Sequence, residues 1–162
     1  MFYYNHQFNV KNDKKSIQFY VKKFINRGQD IELNPKIINV IQLGESNTYI
    51  ALFQVNENNM GFAHLKKGLN NKMQIISTEQ GDNKVSYYDI KTNKGIFSIL
   101  RGNNHDLNID HISVKLMNEN YNFTVNVSDE KYFLKYKKLP ESLTNTFPAK
   151  LTFYDKNDNI LN

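Results

Sequence analysis

From residue 36 onward the apolar residues fall into short runs with period two, and the turn residues between those runs leave no room for crossover helices. The runs cover residues 37–42, 48–55, 61–67, 73–78, 85–91 and 95–101. Gly44-Glu45-Ser46-Asn47, Asn56 to Asn59, Asn70-Asn71, Gly81-Asp82-Asn83 and Asn93-Lys94-Gly95 separate them. A parallel pair needs a connection of about a dozen residues or more. Neighbouring runs are therefore expected to pair antiparallel. Residues 48–55 are apolar on both faces, with Tyr49, Ala51, Phe53 and Val55 opposed to Ile50 and Leu52, which predicts a central strand.

Before Pro35 the period is different. Ile17, Tyr20, Val21, Phe24 and Ile25 stand at i, i+3, i+4, i+7 and i+8 and form one apolar stripe of a helix. Asp13 or Asn12 suits the N-cap, and Gly28 suits a left-handed residue beyond the C-terminus. Lys22, Lys23 and Arg27 fall on the other face or in the last turn, where cations complement the helix dipole. The helix is expected over residues 14–27.

The stretch RGNNHDLNID, residues 101–110, is polar and turn-rich and is read as a boundary. Beyond it, residues 112–116, 121–127, 132–136 and 149–154 read as strands. Tyr121, Phe123, Val125 and Val127 alternate with Asn122, Thr124 and Asn126, one face dry and one wet. Leu139-Pro140 and Phe147-Pro148 bracket a loop, and residues 154–160 have the look of a hairpin with a last short strand. The expected fold class is α+β, mainly β. One N-terminal amphipathic helix lies on a curved antiparallel sheet in residues 1–101, and a small antiparallel, sandwich-like β module follows in residues 102–162.

Composition narrows the function classes. Hydrophobic residues make up 40% and charged residues 23%, which is globular and not disordered. The 11 Phe and 10 Tyr suit pleated, half-buried surfaces. The absence of Cys excludes disulfide scaffolds, zinc ribbons and thiol nucleophiles. No apolar run approaches the length of a membrane span. The opening Met1-Phe2-Tyr3-Tyr4 is too short for a signal-peptide core, and it suits a native start or the stub of a removed anchor alike. The net charge of +5 is uneven: residues 1–101 hold 14 Lys/Arg against 8 Asp/Glu, and residues 102–162 hold 7 against 8. Any contact with nucleic acid or an anionic membrane is thus expected in the first part.

Several constellations resemble sites, and each has a plainer explanation. Asp155, Asn157 and Asn159 match the first ligands of a calcium loop, but Ile160 stands where such a loop needs Gly, and an Asx-rich hairpin turn accounts for all three. His105, Asp106, Asp110 and His111 are the densest group of metal-capable side chains, but they lie in or beside a loop and lack helical ligand spacing, which fits a polar connector. His6 and His64 stand alone. Tyr132 to Lys138 interleaves aromatics with lysines, as single-strand binders do. Here Tyr132, Leu134 and Tyr136 read as a core face and Phe133, Lys135 and Lys137 as a wet face, which suits an ordinary strand. Lys66-Lys67 and Lys22-Lys23 are too short for a binding patch. The seven Gly form no phosphate-binding loop, and no nucleophile motif is present. No catalytic, cofactor or metal residue is assigned.

The phrases NTYIALFQ, GFAHLKKGLNNKMQI, YYDIKTNKGIFSILRGNN, NIDHI and FPAKLTFYDKNDNI occur in this order between Asn47 and Ile160. In them the chain resembles uncharacterised Bacillus-type single-pass membrane or exported proteins of low-GC Gram-positive bacteria. The resemblance implies an extracytoplasmic domain of the cell envelope outside a membrane anchor, and it transfers no catalytic residue. The helix-plus-sheet layout also resembles the NTF2/cystatin-like scaffold, which serves enzymes and assembly parts alike. The expectation is a non-enzymatic, surface-exposed module that binds a protein, peptide or envelope component, with no cofactor and no nucleic acid. Two alternatives stand beside it. One is a small-ligand or enzymatic pocket between helix and sheet lined by Tyr20, Tyr49, Tyr87 or Tyr88, and the other is a nucleic-acid-binding module. A cytoplasmic location is the alternative to the envelope.

Overall fold

The computed structural model describes residues 7–57 and 59–161. Met1 to Tyr4, His6 and Asn58 lie outside the described residues. The chain is mainly β, with one helix among the described residues and three antiparallel sheets. It divides into two compact units between Asp82 and Asn83.

The first unit holds the helix α1 (Lys14–Ile25) and the strands β1 (Lys36–Gln42), β2 (Thr48–Gln54), β3 (Met60–Lys67) and β4 (Met73–Gly81). The strands form a meander in the order β1-β2-β3-β4, each antiparallel to its neighbour. The side chain of Asp13 caps the helix by accepting the Ser16 N–H at 2.8 Å. The helix ends at Ile25, two residues before the expected Arg27. There the Asn26 side-chain amide joins its own backbone N–H on the Lys22 carbonyl and exchanges two hydrogen bonds with Leu33, which turns the chain back. Gly28 adopts φ +70° in that turn. Ile17, Val21 and Ile25 bury the helix stripe against Tyr49, Ala51 and Phe53 of β2 and Ala63 and Leu65 of β3. β2 is an inner strand whose first six residues are all buried, as its two-sided apolar pattern requires.

The second unit holds β5 (Val85–Thr92), β6 (Gly95–Asn103), β7 (His111–Leu116), β8 (Asn122–Asn126), β9 (Tyr132–Lys138), β10 (Ala149–Tyr154) and β11 (Ile160–Leu161). They form a three-stranded sheet, β5-β6-β9, and a four-stranded sheet, β11-β10-β7-β8. One core joins the two sheets. Tyr87, Leu100 and Phe133 come from the first, and Ile112, Val114, Leu116 and Phe123 from the second, with Ile109, Val127 and Leu139 from the connections.

Three expectations change. Residues 101–110 are internal to the second unit. β6 runs through Arg101 to Asn103, and it sits between β5 and β9 by long-range pairing that local polarity does not reveal. Counted by unit, residues 1–82 hold ten Lys/Arg against seven Asp/Glu and residues 83–162 hold eleven against nine, so neither unit carries the basic excess alone. On β9 the expected wet face is not wet: Phe133 is buried, as Leu134 of the expected core face also is. Phe133 is 1% exposed in the core, whereas Tyr136 is 44% exposed. Lys135 and Lys137 share the face of Phe133 near the end of the core. There Lys135 pairs with Glu130, and the Lys137 ammonium lies 5.1 Å from the Phe123 ring centroid.

Candidate functional site

Strand register brings three loops of the second unit to one end. His111 opens β7, the strand between β10 and β8. Its partners are Tyr154, the last residue of β10, and Asn126, the last residue of β8. The polar loop that ends at Asp110, the turn at Ser128 and Asp129, and the hairpin at Asp155 to Asn159 therefore leave the sheet side by side. A cleft of about 620 Å³ opens there, lined by Leu107, Asn108, Asp110, Asp129, Asp155 and Lys156, with Ser128 and Asn157 beside them.

Backbone hydrogen bonds fix these loops. The Asp110 N–H donates to Tyr154 and the Val127 N–H to Asp110, both at 2.8 Å. Asn104 is fully buried behind the first loop. Its amide donates to the carbonyls of Ile109 at 2.8 Å and Val127 at 3.2 Å, and its oxygen accepts the Ile109 N–H. Nothing in the local sequence separates Asn104 from the half-buried Asn103 or the exposed Asn108; its role depends on the β8–β9 connection.

Of the sequence-level metal group, only Asp110 and His111 interact. His111 Nδ1 lies 2.9 Å from Asp110 Oδ2, and Nε2 lies 3.7 Å from Asp158 Oδ1. The imidazole stacks on Tyr154 at 4.8 Å and 8°. His105 and Asp106 are exposed in the loop. Among the described residues no three His, Asp or Glu side chains are gathered to hold a metal ion. The Asp155 carboxylate accepts the Asn157 and Asn159 N–H groups at 2.8 and 2.9 Å and the Asn159 amide at 2.9 Å. These bonds, those from Asn159 first, hold its pKa below the usual carboxylate value. The Ser128 hydroxyl donates to Asn126 Oδ1 at 2.9 Å, while both imidazole nitrogens face carboxylates. The arrangement offers charge and hydrogen bonds, with no serine–histidine pair. Asp129 and Ser128 were not singled out in the sequence, because only the β7–β8 register places their turn beside Asp110, and Leu107 lies in Asp110's own polar loop with nothing local to mark it.

The four tyrosines expected at a helix–sheet pocket are dispersed. Tyr20 lines a cleft of about 270 Å³ between α1 and β4, and Tyr49 lines another of about 400 Å³ at the start of α1. Tyr87 and Tyr88 belong to β5. The Tyr87 hydroxyl donates to the Thr146 carbonyl at 2.8 Å, and burial, with Asp89 adding to it, pushes its pKa up. His64 is half-buried on β3, and burial followed by the Lys66 charge lowers its pKa. No helix among the described residues is long and apolar enough to cross a membrane. Comparison with known proteins finds no matching family, no similar curated protein and no similar solved structure.

Proposed function

We propose that this chain is a non-catalytic binding module of a Gram-positive cell envelope, facing outside the cytoplasm, and that the loop end of its second unit receives a protein or peptide partner. One observation carries the binding part: the cleft of about 620 Å³ presents Asp110, Asp129 and Asp155 against a single Lys156. The surrounding loops are already tied by Asn104 and by the Asx turn, so little ordering is needed on binding. Leu107 at the cleft is 47% exposed. Carboxylates beside an exposed aliphatic side chain suit a segment that combines Lys or Arg with an apolar residue. The resemblance to exported Bacillus-type proteins supports the outward location.

The test is an amide-resolved NMR titration with short peptides that combine Lys or Arg with Leu. Saturable shifts confined to residues 107–111, 128–130 and 154–159, weakened by Asp110→Asn with Asp129→Asn, are the expected result. Shifts scattered over both units, or none at all, would remove the cleft as the partner site. Fractionation of the source cells tests location separately, and recovery with the cytosol overturns the envelope assignment.

A further inference from the structure

The outward face of α1 carries a row with no counterpart in the second-unit cleft. Lys15, Phe19 and Lys23 are spaced four residues apart on α1, Arg27 follows in the turn just beyond its end, and all four are exposed. That spacing places successive side chains next to one another along a helix. The helix contains no acidic residue. Among the described residues its one ion pair is Lys22 with Glu32, at 2.8 Å on the flank of the row. Phe19 is 62% exposed in the middle of the cations, with its ring edge-on to Tyr20 at 5.2 Å. Tyr20, Lys23, Phe24, Arg27 and Gln74 line the adjoining cleft of about 270 Å³, whose walls include no carboxylate. The Arg27 guanidinium lies 4.6 Å from the Phe24 ring centroid, which positions it at the cleft wall.

We infer that this face docks on an anionic lipid surface. Lys23 and Arg27 hold the phosphate oxygens of one headgroup in the cleft, Lys15 faces the neighbouring headgroups, and Phe19 enters the boundary between headgroups and acyl chains. The cations supply attraction to anionic lipid, and the exposed ring supplies apolar area that water does not favour. A single nucleic-acid strand fits less well, because such proteins stack successive bases on several rings. Here Phe19 is the exposed ring of the helix, and Tyr20 and Phe24 beside it are half-buried, which leaves no row of free ring faces for successive bases. This face belongs to the first unit, so it stands or falls independently of the peptide site proposed above.

The chain has no Trp, which makes Phe19→Trp a unique reporter at an exposed position. In the full chain, its emission is expected to shift to the blue with vesicles of phosphatidylglycerol in phosphatidylcholine and not with phosphatidylcholine alone. Sedimentation with the anionic vesicles is expected to weaken as salt rises. Each of Lys23→Gln and Arg27→Gln is expected to weaken binding about fivefold, the equivalent of about 1 kcal/mol per cation near an anionic surface. Circular dichroism checks that these exposed substitutions leave the fold intact. Three results would overturn the inference: no blue shift with anionic vesicles, equal binding by the double Gln variant, or preferential quenching by single-stranded DNA at low salt.

Discussion

The ring of Phe133 on β9 lies against Gly102 on β6, its cross-strand partner, so closely that a Cβ at position 102 would clash with the Cζ end of the ring. The first unit repeats the device on different strands. Phe53 of β2 covers Gly61 of β3, again directly opposite in the register. A strand glycine ordinarily weakens a sheet, and an aromatic partner laid across it restores the lost contact. Both Phe residues are essentially fully buried.

Gly102→Ala is therefore expected to destabilise the protein by about 1–3 kcal/mol through overpacking. Phe133→Ala, which opens a cavity in the second core, is expected to cost about 3–5 kcal/mol. Combining Gly102→Ala with Phe133→Leu should cost less than the two changes made separately, because the smaller side chain gives up the space the methyl needs. Urea titrations of the four proteins check this, and strict additivity would argue against the contact.

Asn104 gives a second prediction. Replacing it by Ala leaves the buried Ile109 N–H and the carbonyls of Ile109 and Val127 without the side chain that satisfies them. An unsatisfied buried group costs about 1–3 kcal/mol, so a loss at least of that size is expected. Asn108→Ala, exposed in the same loop, serves as the control. Faster amide exchange confined to Ile109 would mark the loop as the part that loosens.

The period-two runs and the i, i+3, i+4 stripe made nearly every element legible, because alternation and amphipathic spacing are local signals. β2 was recognisable as an inner strand for the same reason: its residues are apolar on both faces. The division into units was not legible. Arg101 looks like the start of a polar linker, yet it pairs with Ser86 on one side and Leu134 on the other. The face of β9 was half legible: Leu134 is buried as its alternation with lysines suggests, but Tyr136 is exposed and Phe133 is buried over Gly102, a cross-strand contact that local alternation does not show. The candidate cleft was half legible. Two polar groups stood out separately, and only the pairing of His111 with Tyr154 joins Asp110 to Asp155.

Acid should destabilise the protein in two stages. Burial, with Lys66 adding to it, holds the His64 pKa below its ordinary 6.5. The unfolded chain then binds the proton more readily, so stability falls as pH drops below 6.5 and is unaffected by this group above it. Asp155 and Glu119 behave as depressed carboxylates. Asn159 bonds hold the first low, and the backbone N–H groups of Asn145 and Thr144 hold the second. Their contribution is complete above the ordinary carboxylate values and is lost as pH falls through the depressed ones. Melting temperatures against pH for the wild type, His64→Gln and Glu119→Gln should separate the stages. His64→Gln should flatten the upper stage alone, and an unchanged profile would show that His64 titrates normally.

Arg101 is 1% exposed, and its Nε and Nη1 have no hydrogen-bond partner among the described residues. The Ser86 hydroxyl, directly opposite in the register, is also buried without a partner. A buried cation without a partner carries a desolvation cost that a nearby ring only partly offsets. Here the Tyr88 ring centroid is 5.9 Å from the guanidinium carbon. Met has similar length, no charge and no donor to satisfy. Arg101→Met is thus expected to raise stability by about 1–3 kcal/mol, on the scale of removing unsatisfied buried polar groups. Arg101→Lys keeps the charge but loses the planar contact with Tyr88, and should be less stable than the wild type. If Met proved strongly destabilising instead, the guanidinium would be making interactions in solution that offset its burial. A comparison of the Met and Lys variants by urea titration distinguishes the two cases.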